Sequence, residues 1–158
     1  MPLRLRDEIK QSKPFHSLEQ EAMLSIARTD AILGYSIIEV LKPFDVTPTQ
    51  YNVLRILRGA GDKGLCREDV RERLISQVPD VTRLLDRLEE AGLVGRARDT
   101  VDRRLVTTRI TDAGLELLRK LDRPIDEAHE KQLGHMTKTE LKTLIGLLAK
   151  AREPEATR

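Results

Sequence analysis

Between Gly95 and Arg109 stand five arginines, Arg96, Arg98, Arg103, Arg104 and Arg109, against two acids, Asp99 and Asp102, a local balance of +3. No lysine occurs from Gly64 to Arg119, so every cation of that span is arginine. The guanidinium is a planar fork that grips phosphate with two hydrogen bonds and enters narrow minor grooves. Just upstream lie Gln77, Val78, Pro79, Asp80, Thr82 and Arg83. Gln can read adenine, Arg guanine, and Asp can accept from cytosine N4, while Val78 and Pro79 suit a thymine methyl. Each has a plainer reading beside it. Asp80 can serve a helix dipole, Arg87 can pair with acids one turn away, and a basic hairpin can simply be solvated.

The elements that would carry these side chains follow from pattern. Val81, Leu84, Leu85 and Leu88 share one face of a helix predicted over Pro79–Ala91. Gly92 suits its left-handed stop. Two alternating runs, Val94–Asp99 and Leu105–Ile110, predict a hairpin with the basic tip Thr100-Val101-Asp102-Arg103-Arg104. A helix running into an arginine-bearing hairpin is the layout of a winged helix-turn-helix, whose helix enters the major groove and whose wing reaches the neighbouring minor groove.

Around this centre the chain is helical. Ser17 and Gln20 predict a capping box for a helix to about Lys42, about 40 Å long at about 1.5 Å per residue. A short arm, helical between Leu3 and Gln11, precedes it. Thr47-Pro48-Thr49-Gln50 predicts a second capped start, with Val46 and Tyr51 as a hydrophobic staple and an end at Gly59-Ala60-Gly61. A third helix runs from Cys66 to Leu74 or Ile75. Thr111 caps a helix to about Arg123, where Pro124 marks a kink or a fresh start. Thr137 and Glu140 box the last, with Met136 and Leu141 as its staple, before a polar end from Pro154. The fold expected is mainly α with a small β-hairpin wing. A winged helix-turn-helix domain, 45–111, is flanked by an arm and long helix, 1–44, and by C-terminal helices, 112–158. The broad apolar faces of both flanks predict a homodimer, the usual solution for reading a two-fold site.

Composition bounds the alternatives. The chain has 158 residues, 39% hydrophobic and 34% charged, with a formal charge of +2. That overall balance is too mild to establish a nucleic-acid partner; the local arginines carry the argument. Aromatics are 3% with no Trp, which excludes a stacking platform for single strands. One cysteine excludes an internal disulfide. The absence of a signal peptide or a membrane-length apolar run predicts a cytoplasmic protein. His16, His129 and His135 have no ligand spacing, so no metal site is expected. No nucleophile–base pair, phosphate-cradling glycine loop or paired acids point to an enzyme, and no cofactor is implied.

With helix, hairpin and flanks placed, the chain resembles the MarR family of transcriptional regulators. The matching residues are Val46-Thr47-Pro48-Thr49-Gln50-Tyr51-Asn52-Val53-Leu54, the run from Val81-Thr82-Arg83-Leu84-Leu85-Asp86-Arg87-Leu88 through Glu89-Glu90-Ala91-Gly92-Leu93-Val94, then Asp102-Arg103-Arg104 and Ile110-Thr111-Asp112-Ala113-Gly114. Order and spacing cover roughly residues 20 to 150. The resemblance implies a dimeric repressor of winged-helix subunits on a pseudo-palindromic operator, released in many members by a small ligand or an oxidant. It implies a wing in which Asp102 orients Arg104 by a salt bridge while Arg103 and Arg104 hold the minor groove. Arg96 and Arg98 fit phosphate contacts, which position rather than specify. One departure stands out. The family places a small residue and then an apolar one between the two helices of the motif; here Ile75 and Ser76 occupy those places.

Two accessory sites are expected beside the double-stranded DNA surface. Tyr35, Phe44, Tyr51 and Arg55 are candidates to line an effector pocket, against ordinary core packing. Cys66 stands where Ser or Thr would cap a helix, with Asp69 three residues on. A helix N-terminus also favours a reactive thiolate, so a redox-responsive regulator using Cys66 is an alternative. Redox-sensing relatives, however, carry their cysteine near the start of the first long helix. A winged-helix module that binds protein rather than DNA is the other.

Overall fold

A computed structural model describes residues 4–153 of the chain. The expected arm start at Leu3 and the polar end from Pro154 lie outside these residues. The element order is α1 (Leu5–Glu8), α2 (Leu18–Leu41), α3 (Pro48–Ala60), β1 (Leu65–Cys66), α4 (Arg67–Arg73), α5 (Val81–Glu90), β2 (Val94–Arg98), β3 (Val106–Ile110), α6 (Asp112–Leu133) and α7 (Lys138–Ala151), with single 3-10 turns at Lys42–Phe44 and Gly61–Lys63. Among the described residues no helix is long and apolar enough to cross a membrane.

The helix starts follow their caps. Thr47 and Gln50 close a full capping box on α3, and Thr137 and Glu140 do so on α7. On α2 the box is half formed: the Ser17 side chain accepts from Gln20 N–H, while the Gln20 side chain accepts from the His16 N–H. Each bond satisfies an amide that the first helical turn leaves without a partner. Gly92, at φ 72°, ends α5 in the left-handed region as its position predicted.

Buried aliphatic side chains gather these helices into one core. Leu54 and Leu57 of α3, Val70 of α4, Leu85 and Leu88 of α5, Val94 of β2, and Leu118 and Leu121 of α6 meet there with Leu41 of α2. The sheet has strand order β1-β3-β2, antiparallel throughout, with Val94 opposite Ile110 and Arg98 opposite Val106. β1, two residues pairing Leu65 with Thr108 and Cys66 with Thr107, was not anticipated; a two-residue strand shows no alternation.

Several boundaries differ from expectation, and α4 already ends at Arg73, before the expected Leu74 or Ile75. α6 passes through Pro124 without a break. Proline forfeits one backbone hydrogen bond, and burial of Leu121 and Ile125 on either side of it holds the helix in line. The hairpin strands are each one residue shorter, because Asp99 and Leu105 close the tip through Asp99 N–H to Leu105 C=O, 2.8 Å. α5 starts at Val81 rather than Pro79.

The start of α6 lies so close to the hairpin that a Cβ at Gly114 would overlap the Leu93 carbonyl oxygen and the Ile110 side chain. Thr111 ties the same corner, its hydroxyl donating to Gly92 C=O at 2.7 Å and accepting from Gly114 N–H at 3.2 Å. Gly114→Ala is therefore expected to destabilise the protein by about 1–3 kcal/mol, read as a lower urea midpoint; an unchanged midpoint would contradict this packing.

Candidate nucleic-acid interface

The expected reading residues divide between a loop and a helix. Leu74 leaves α4 with ψ 137°, and residues 74–80 form an irregular connection. Gln77, Val78 and Pro79 therefore precede the recognition helix α5 instead of forming its first turn. Pro79 has no N–H to give and biases Val78 toward extended backbone. Asp80 is the true N-cap: its side chain accepts from Arg83 N–H at 2.9 Å. One Asp80 oxygen is thus engaged in capping, the plainer of its two readings. Gln77, Pro79, Thr82 and Arg83 are exposed, whereas Val78 is half-buried against the core. The Thr82 hydroxyl accepts from Arg67 at 3.2 Å, bracing α4 to α5.

The wing sorts its arginines into two groups. Arg96 is not presented outward for phosphate. Its guanidinium lies 2.6 Å from Asp86 and 2.5 Å from Glu89, both on α5, and its side chain is only 23% exposed. Glu89 also accepts from the Arg96 backbone N–H at 3.3 Å. Two carboxylates one turn apart outcompete solvent for the cation, so Arg96 locks β2 to the helix. Arg109, from the same basic run, donates to Asp62 C=O at 2.6 Å and braces β3 to the turn after α3. Arg98, Arg103 and Arg104 are exposed, and none of them takes part in an ion pair among the described residues.

The tip is shaped by its acids. Asp99 accepts from Val101 N–H at 2.7 Å and Asp102 N–H at 3.0 Å, and these two amides hold its carboxyl below the usual range. The salt bridge expected from Asp102 to the Arg104 side chain is replaced by a bond to the Arg104 backbone N–H, 3.0 Å. A short Asp side chain reaches an amide two residues on more readily than a guanidinium that solvent competes for.

The accessory sites fare differently. The four expected pocket residues do not line one cavity. Tyr51 is buried and Phe44 packs against the core. Tyr35 borders a cleft of about 640 Å3 between α2 and α6, with Val40, Ala128 and Gln132. Arg55 borders a separate cleft of about 540 Å3 with Lys63 and Arg73. Arg55 also lies 6.0 Å above the Tyr51 ring. Cys66 caps α4: its thiol lies 3.2 Å from an Asp69 carboxylate oxygen and receives the Asp69 N–H at 3.5 Å. The thiol's hydrogen bond to that carboxylate oxygen is the chief cause of a lowered Asp69 carboxyl. Among the described residues no cluster of three or more His, Cys, Asp or Glu could hold a metal ion.

The Arg96 clamp has a pH signature. Its hydrogen bond to Glu89 holds that carboxyl below its ordinary 4.5. The contribution of the pair is therefore complete above about pH 4.5 and is lost as pH falls through the depressed Glu89 value. Amide exchange in β2 should accelerate over that acid range, and Glu89→Gln should flatten the response. An identical acid profile in the variant would rule out this coupling.

The geometry has counterparts among known proteins. The MarR family model matches residues 46–106, from the start of α3 to the end of the wing tip. The HTH-type transcriptional regulator FarR of Neisseria gonorrhoeae is 31% identical over 117 residues, 72% of this chain and 79% of that protein. A crystal structure of a MarR transcription factor from Planctomyces limnophilus superposes with TM-score 0.66 at 42% identity, covering 86% of this chain and 98% of that one. A mutant MarR from E. coli complexed with operator DNA superposes with TM-score 0.76 at 25% identity, covering 94% and 99%. A capped α3, a recognition helix and a three-stranded wing in this order, with relatives of this similarity and coverage, place the chain in the MarR family of transcriptional regulators.

Proposed function

We propose that the protein is a homodimeric, sequence-specific DNA-binding regulator, a repressor on a pseudo-palindromic operator, working in the cytoplasm without enzymatic activity. The observation that carries this is the division of its arginines. Arg96 fastens the wing to α5, while Arg98, Arg103 and Arg104 remain exposed on the far part of the same hairpin. A rigid wing projecting unpaired guanidinia beside an exposed helix start is built for phosphate and minor-groove contact. In this reading Gln77, Thr82 and Arg83 face base edges. Val78 and Asp80 support them through packing and capping, and Pro79 directs the backbone. Residues 45–111 are the reading head, and 1–44 with 112–158 join the subunits.

The flanks support the dimer. α7 buries none of its residues within the chain, and Ile145 and Leu147 are more than half exposed. Met23, Ile32 and Tyr35 of α2 are also more than half exposed. Aliphatic faces left this open by a monomer are the kind a second copy covers. The α2–α6 cleft beside Tyr35 is of a size that takes a small organic effector, and release by such a ligand completes the proposal.

Selection from a random pool of double-stranded DNA tests the reading, and failure to enrich any motif at low salt would favour a protein-binding winged helix instead. On the selected operator, Arg104→Ala should lose about 10–100-fold in affinity. It should also lower the slope of log affinity against log salt by about one, with the dimer unchanged in sedimentation. Wild-type affinity in that variant would overturn the wing assignment.

A further inference from the structure

The chain between α4 and α5 turns a corner without the usual aid of glycine. No glycine occurs between Gly64 and Gly92. No described residue between them takes a positive φ. The turn is made instead by the irregular stretch from Leu74 to Asp80. Such a stretch has many accessible conformations unless something fixes it.

Three anchors are visible. Val78 is half-buried against the core, and Asp80 caps α5. The third is Asn52, whose side-chain oxygen accepts the Ile75 N–H at 2.9 Å across 23 residues of sequence. Among the described residues, this is the only hydrogen bond made by a backbone N–H of residues 75–79. Asn52 is well placed to be a post. Its neighbours on α3, Tyr51, Val53 and Leu54, are all buried, so its backbone cannot shift without disturbing the core. Ile75 is 89% exposed and contributes little packing of its own, which leaves the amide as its main attachment.

We propose that Asn52 is a positioning residue for sequence recognition: by holding the Ile75 amide it sets where the loop leaves α4 and so how the start of α5 is aimed. The inference rests on the DNA-binding function proposed above. The C-terminal half of α5 is already fixed by Arg96 through Asp86 and Glu89. Freedom in the loop therefore tilts the other end, which buried Val81 and the Arg67–Thr82 bond confine to small displacements. From the Arg96 anchor to Val81 is about 8–12 Å of helix, and a pivot of about 5° moves the first turn by about 0.7–1 Å. Base-edge hydrogen bonds fail over such a displacement, whereas phosphate contacts from flexible arginines adapt. Losing the tie therefore costs selectivity more than general affinity.

The test compares wild type, Asn52→Leu, which removes the acceptor at similar size, and Asn52→Asp, which keeps an oxygen in place. A motif selected by the wild type establishes DNA reading first; absence of any motif is the failure of that reading and removes the basis of this one. With an operator in hand, Asn52→Leu should lose about tenfold in operator affinity, with binding to scrambled DNA nearly unchanged and a broader selected motif. Asn52→Asp should keep the wild-type motif. An Asn52→Leu protein with wild-type selectivity, or equal losses on operator and scrambled DNA, would overturn the proposal. Should Asn52→Leu fail to fold, amide exchange in the wild type decides: the Ile75 N–H should be protected relative to Ser76 and Gln77, and equal exchange at all three would overturn it.

Discussion

Burial of aliphatic side chains in one shared core is the constraint on which the other features depend. Leu54 and Leu57, Leu85 and Leu88, and Leu118 and Leu121 come from three separate helices and are almost wholly removed from water. Full burial of such a side chain is worth about 1.5–3 kcal/mol relative to exposure, so no one of these helices can leave without forfeiting several contacts at once. α3 serves as the floor, and α5 and the hairpin rest on it. Because Leu41 and the first half of α6 join the same core, α2 and α6 are packed against the winged-helix segment rather than merely tethered to it.

On that floor, polar contacts set directions that apolar packing leaves loose. A leucine face tolerates small rotations of a helix; a bidentate ion pair does not. Arg96 between Asp86 and Glu89 fixes the hairpin against α5. Arg58 does comparable work between α3 and α6, its Nη1 donating to both Asp122 carboxylate oxygens at 3.0 and 2.9 Å. Where α2 crosses α6, Gln132 bonds to the Leu33 carbonyl and the Ser36 hydroxyl. Each tie is half-buried or near the surface, so its value is in geometry more than in net stability.

The same logic explains why the arginine-rich composition of the middle of the chain is a poor count of ligand-facing charge. Arg58, Arg67, Arg96 and Arg109 are directed inward or sideways onto protein partners. Arg98, Arg103 and Arg104 are left for solvent or a ligand. The protein uses one residue type both for framework ties and for exposed charge, and only partner geometry separates the two.

Much was legible in the residues themselves because the responsible physics is local. Capping at Thr47, Thr111 and Thr137, the left-handed stop at Gly92, the leucine stripe of α5 and the alternation of the hairpin all act within a few residues of sequence, and each element appears where its signal stands. What escaped was decided by residues far apart in the chain. The retreat of α5 to Val81 follows from the folded loop, which leaves Pro79 outside the helix and Asp80 as its cap. The passage of α6 through Pro124 depends on the core that receives Leu121 and Ile125. The pairing of Arg96, the bracing role of Arg109, the scatter of Tyr35, Phe44, Tyr51 and Arg55, and the bond from Asn52 to Ile75 are all tertiary. Spacing reports which face of an element a side chain occupies, and only the packed structure determines what that face meets.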